Sequence, residues 1–156
     1  MMEEKFMKAA VEAALNGVRE GKGGPFGAVI VKHGEIIASA SNEVLASNDP
    51  TAHAEVNAIR QACKKLGSFQ LTDCELYTTC EPCPMCLGAI YWARPSKVYF
   101  AASRYDAANA GFDDSFIYDE IAADAGIRKI PFVHSPFQPA VDLFRVWDTS
   151  PLKKQY

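Results

Sequence analysis

Three residues in this chain could hold a metal, and a fourth beside them could move protons. His53-Ala54-Glu55 is followed downstream by Pro82-Cys83-Pro84-Met85-Cys86. One imidazole and two thiolates make a soft ligand set suited to zinc. Three protein ligands leave the fourth tetrahedral position open, which marks a catalytic rather than a structural zinc. Glu55, two residues after the histidine, is then free to act as acid and base at the water in that position. The chemistry implied is metal-assisted hydrolysis.

Each residue alone has a plainer reading. A histidine is more often a surface or core residue, and His33 and His134 are read that way. A glutamate on a helix is usually solvated, and Cys-x-x-Cys can be redox-active or structural. Cys80, Cys83 and Cys86 are evenly spaced. Cys80 could therefore take the open position and close the site into a structural zinc module that binds a partner. Cys80 is predicted to end a strand before Glu81-Pro82, whereas Cys83 and Cys86 fall on one helix face, three apart. An iron–sulfur cluster would need a fourth nearby cysteine, and Cys74 is poorly spaced for one. Cys63 and Cys74 are read as small apolar core residues.

The elements that must position these residues follow from periodicity. Glu3 to Glu20 carries Phe6, Ala10, Ala14 and Val18 at helical spacing and ends at Gly21. Phe26 to Lys32 and Glu35 to Ser41 read as strands joined by a His33-Gly34 turn. Asn42 to Thr51 reads as a loop. A helix is predicted over His53 to Leu66, closed by Gly67, and a strand over Cys74 to Thr78. A second helix runs from Cys83 to Ala93, with Pro84 tolerated in its first turn, and a strand covers Lys97 to Ala102. His53 and Cys83 thus stand at helix starts, where the dipole favours a thiolate. The order predicts an α/β fold, a mixed sheet with helices on its faces. Beyond it, Asp114 to Ala123 reads as helical, Ile130 to His134 as extended and Pro139 to Trp147 as helical.

With 156 residues the chain is read as one domain, large enough to need no disulfide staples. A net charge of −3 weighs against nucleic acid as a partner, since phosphate binding leaves a basic footprint. It favours a small neutral substrate. Five cysteines, an odd number, with no signal-peptide core and no membrane-length apolar run, suggest a cytoplasmic protein with reduced thiols.

These motifs carry a resemblance. The H-x-E…P-C-x-x-C pattern is that of the zinc-dependent base deaminases. Gly24-Pro25-Phe26-Gly27-Ala28-Val29, Thr51-Ala52-His53-Ala54-Glu55 and Glu81-Pro82-Cys83-Pro84-Met85-Cys86 resemble the purine-acting branch of the cytidine deaminase-like superfamily. That branch is shared by guanine deaminases and tRNA adenosine deaminases. Asn48-Asp49-Pro50, Tyr91-Trp92-Ala93-Arg94-Pro95, Gly111 to Tyr118 and the ending Lys153-Lys154-Gln155-Tyr156 are most similar to bacterial guanine deaminases.

The resemblance implies a three-layer α/β/α fold, one Zn2+ per subunit held by His53, Cys83 and Cys86, and hydrolysis of a purine base, guanine, to xanthine and ammonia. It implies Glu55 as proton shuttle and Asp114 as a second relay. Phe26, Asn42, Ala54, Trp92, Asp114 and Tyr156 become expected substrate contacts. It further implies a homodimer in which the helix and tail of residues 137–156 cross between subunits. The alternatives are a tRNA adenosine deaminase, a deaminase of another aminoheterocycle, and the structural zinc module.

Overall fold

The computed structural model describes residues 2–156. Four strands form one mixed sheet in the order β2-β1-β3-β4: β1 (Gly27–Lys32), β2 (Glu35–Ser41), β3 (Cys74–Cys80) and β4 (Lys97–Ala102). β1 runs antiparallel to both β2 and β3, and β4 runs parallel to β3. The β1–β2 hairpin turns on His33 and Gly34, both at positive φ, 51° and 80°. Two such residues give the turn whose twist matches the strands.

Strand alternation divides the core in two. Ala28, Ile30 and Leu76 face the helices α3 (Ala54–Leu66) and α4 (Pro84–Ala93), meeting Ala54, Ala58, Ala62, Ile90 and Ala93. Val29, Val31 and Tyr77 face α1 (Glu4–Arg19), meeting Phe6, Met7 and Ala10. The central strand β1 is therefore apolar on both sides and reads as a continuous hydrophobic run. Each large side chain removed from water here contributes roughly 1.5–3 kcal/mol. The result is the mixed sheet between helical layers that the sequence predicts. Gly27 allows α1 to lie close on β1, since a Cβ there would fall on the Ala10 carbonyl oxygen and 2.6 Å from the Ala14 nitrogen.

Some predicted elements change. The loop at 42–51 contains a one-turn helix, α2 (Val44–Ser47). The strand read over Cys74 to Thr78 continues to Cys80, which ends it before Glu81-Pro82 as expected. A helix that periodicity does not mark, α5 (Arg104–Asn109), follows β4. It is short and polar, and it is set by a capping box in which the Ser103 and Asp106 side chains satisfy each other's backbone N–H groups.

The chain divides into two compact units, the first ending at Asp114 and the second covering Ser115–Tyr156. The second unit contains α6 (Ser115–Ala122), a 3-10 turn at Ala125–Ile127 and α7 (Gln138–Thr149). Among the described residues, Ile130 to His134 pairs with no strand. Pro131 removes a donor within that segment, and its side chains stay exposed. Within this unit the Arg128 Nε donates to the Ala123 carbonyl at 3.3 Å, and Trp147 and Tyr156 meet edge to face with centroids 6.5 Å apart. Val141, Leu143, Phe144, Val146 and Trp147 of α7 are exposed. No helix among the described residues is long and apolar enough to cross a membrane.

Candidate metal centre

Two helix starts build the site. His53 is the N-cap residue of α3 and Cys83 the N-cap of α4, both with extended backbone. Cys86 follows in the first turn of α4, where it is fully buried. The His53 Nδ1 lies 3.5 Å from the Sγ of Cys83 and 3.5 Å from the Sγ of Cys86. The three ligand atoms all lie within 4.8 Å of one another. Zinc bound at about 2.0–2.1 Å to nitrogen and about 2.3 Å to sulfur has nitrogen–sulfur tetrahedral edges of about 3.6 Å. The donor set and its spacing therefore fit a zinc ion.

The electrostatics agree with that fit. A hydrogen bond from Cys86, then one with His53, holds the Cys83 thiol down to about 4. The Cys83 thiolate and burial push the Cys86 thiol up, so the two cysteines share one proton. A metal displaces such a proton and stabilises both thiolates. The hydrogen bond to Cys83 raises the His53 imidazole.

Glu55 is buried at 6 % exposure in the first turn of α3. Its Oε1 accepts a hydrogen bond from the Thr78 hydroxyl at 3.2 Å, and its Oε2 faces the Cys86 Sγ at 3.4 Å. Burial pushes the carboxyl above its ordinary range. It sits beside the ligand cluster without belonging to it. Cys80 also stays outside. Its Sγ donates to the Ser103 carbonyl at 3.6 Å, and burial pushes the thiol up to about 11. Its hydrogen bond to Ser103 and its place outside the trio disfavour the closed structural site.

The other expected residues are distributed unevenly. Ala54 is fully buried at the start of α3. Phe26 is half-buried just before β1, edge to face with Phe112 at 4.9 Å. This pair borders a cleft of about 160 Å3 whose walls include Thr79, Cys80 and Ala107. The Asn42 side chain is buried at 6 % exposure. Its Oδ1 accepts from the backbone N–H groups of Gly24 at 3.3 Å and Val44 at 3.2 Å. This is the turn role that asparagine often takes. Asp114 is half-buried, and its carboxyl is raised by burial and then by the negative charge of Cys83, which places it in the field of the cluster. Trp92 is 63 % exposed near the end of α4. Tyr156 belongs to the second unit and is exposed.

Two residues in this neighbourhood are not among the expected site residues. Thr78 is the hydroxyl against Glu55, and its signal was a polar residue in the apolar register Leu76, Thr78, Cys80 of β3. Phe112 packs on Phe26, and its place in the Gly111 to Tyr118 motif marks the segment but not this contact.

Comparison with known proteins agrees with the geometry. Residues 1–102 match the family described as the cytidine and deoxycytidylate deaminase zinc-binding region. The chain is 60 % identical over 156 residues to a guanine deaminase of Bacillus subtilis (strain 168), covering all of both chains. The X-ray structure of guanine deaminase from Bacillus subtilis superposes with a TM-score of 0.96, over 100 % of this chain and 99 % of that one. A tRNA-specific adenosine deaminase of Aquifex aeolicus (strain VF5) is 40 % identical over 144 residues, 92 % of this chain and 91 % of that protein. A half-buried ligand trio with a buried carboxylate beside it, in a chain whose first 102 residues match this family throughout, places the protein in the cytidine and deoxycytidylate deaminase zinc-binding family.

Proposed function

We propose that this protein is a guanine deaminase, a zinc-dependent aminohydrolase that converts guanine and water to xanthine and ammonia. The observation that carries the reading is the His53–Cys83–Cys86 cluster with the buried Glu55 carboxylate against it, in a chain 60 % identical along its whole length to a guanine deaminase.

Zinc held by these three ligands would lower the pKa of a water molecule towards neutrality. Glu55 Oε2 would take one proton from the attacking water and pass it to the ring nitrogen beside C2. It would then take the remaining proton from the oxygen added at C2 and pass it to the departing amine, so that xanthine and ammonia are released with the protons balanced. Burial raises the Glu55 carboxyl, the direction that favours taking up a proton.

The substrate contacts belong to the same proposal. Phe26 stacks on the purine, and the Phe112 edge contact holds its ring in place. Because both hydrogen bonds to Asn42 fall on Oδ1, its amide Nδ2 is the end left to donate to an acceptor on the ring edge. The Ala54 backbone lies beside the reacting carbon. Asp114 accepts guanine N–H groups and relays a second proton, Trp92 lines the pocket, and Tyr156, at the end of the exchanged tail, is the proposed cap of a subunit's site. We propose a cytoplasmic homodimer in purine metabolism, with residues 137–156 exchanged between subunits. The exposed apolar residues of α7 and the five free cysteines support this reading. The similarity to tRNA-specific adenosine deaminases keeps one rival in view, and the test is xanthine from free guanine measured against inosine at a tRNA wobble adenosine.

A further inference from the structure

We infer that Thr78 is a positioning residue for the proton shuttle: its hydroxyl fixes Oε1 of Glu55 so that Oε2 is the oxygen that carries the proton. The inference rests on the role of Glu55 given above. It starts from three observations. Thr78 is 1 % exposed, so its hydroxyl has no solvent to bond. Its Oγ1 donates to Glu55 Oε1 at 3.2 Å, across 23 residues of sequence. The opposite oxygen of the same carboxylate lies 3.4 Å from the Sγ of Cys86, a residue of the ligand trio.

The backbone makes Thr78 a rigid anchor. It lies inside β3, opposite Ala28 of the antiparallel strand on one side and Phe100 of the parallel strand on the other. A β-branched side chain in a strand has restricted χ1, so the direction of the hydroxyl is set by the sheet. Glu55, by contrast, reaches the site through a flexible side chain from the first turn of α3. Its carboxyl also bonds its own backbone and faces Cys86 through Oε2, and Thr78 is the side chain that holds Oε1.

The chemistry of the pair suits a group that must be charged and neutral in turn. A threonine hydroxyl donates to the carboxylate when Glu55 is ionised. When the proton sits on Oε2, the same hydroxyl still donates to Oε1, now the carbonyl oxygen of the acid. The hydrogen bond therefore survives both transfers and keeps the mobile proton on the side of the metal cluster. Residues that orient a catalytic group in this way commonly change activity 10–100-fold when removed.

The test compares Thr78→Val, Thr78→Ala and Thr78→Ser with wild type, with Glu55→Gln alongside. The quantities followed are kcat and KM for guanine, zinc content, melting temperature and the Glu55 carboxyl stretch in the infrared, identified by its loss in Glu55→Gln. Thr78→Val is expected to lower kcat roughly 10–100-fold, with KM and zinc content close to wild type and the carboxyl band displaced. Thr78→Ser is expected to restore both rate and band, because it returns the hydroxyl without the methyl group. If Thr78→Val does not fold, the contrast between Ala and Ser carries the same comparison. Wild-type kcat in the Val or Ala variant, or equal impairment of Ser and Ala, would overturn the inference. Full activity in Glu55→Gln would instead overturn the shuttle reading itself.

Discussion

Glu55 and Cys86 stand 31 residues apart in the chain, yet Oε2 of one lies 3.4 Å from Sγ of the other. Two helix starts bring them together, α3 carrying the proposed acid–base group and α4 the proposed ligand. The proposed proton transfer and metal binding are therefore adjacent yet separable by mutation. Glu55→Gln keeps the volume and removes the titratable proton. It is expected to retain about one zinc per chain and the wild-type melting temperature while kcat falls by roughly 10²–10⁴-fold. Metal analysis beside steady-state kinetics checks this, and a variant with wild-type kcat would remove Glu55 from the chemistry.

Cys80 provides the contrast. Its thiol is turned to the Ser103 carbonyl and lies outside the ligand trio. Cys80→Ala should therefore bind zinc as wild type does, whereas Cys83→Ser and Cys86→Ser should each lose most of it. Titration with a chromogenic chelator distinguishes the two groups. Loss of zinc in Cys80→Ala would revive the closed structural site.

Removal of the tail, residues 150–156, is expected to lower turnover with zinc content intact, because the proposed cap at Tyr156 goes with it. Turnover and zinc analysis of the truncated protein test this. Unchanged kinetics would place Tyr156 outside the substrate pocket.

Tyr77 makes stability depend on alkaline pH. The ring is fully buried between Phe6 and Tyr99, and its hydroxyl donates to Glu75 at 3.0 Å. Burial first, and then the Glu75 hydrogen bond, push the phenol up to about 12 from its ordinary 10. The unfolded chain releases this proton near pH 10 and the folded protein does not. Its contribution is thus fully present below pH 10 and is lost as pH rises towards 12, on the order of 2 kcal/mol in all. Denaturant melts at pH 9 and pH 11.5 should show a smaller drop for Tyr77→Phe than for wild type. An equal drop in both would mean that Tyr77 does not couple to pH.

The parts of this architecture that could be read in the sequence are those with a local cause. The helices ending at Gly67 and before Pro95, the strands Glu35–Ser41 and Lys97–Ala102, and the ligand spacing all follow from residue type and period. What remained hidden depends on distant partners. α5 is too short and polar for an apolar stripe, although Ser103 and Asp106 carried its cap signal. Ile130 to His134 reads as extended from its β-prone residues, and among the described residues it pairs with no strand. Asn42 could be singled out but not its division of labour, since the donors on Oδ1 come from Gly24 and Val44. Thr78 gained its meaning only when β3 was laid beside α3.

The most direct measurement is product analysis. Zinc-loaded protein is incubated separately with guanine, adenine, cytosine and their nucleosides, and with tRNA, while ammonia and the deaminated base are quantified. Guanine should yield xanthine and ammonia in equal amounts, and tRNA should yield no inosine. Inosine at the tRNA wobble adenosine without xanthine from guanine would contradict the account.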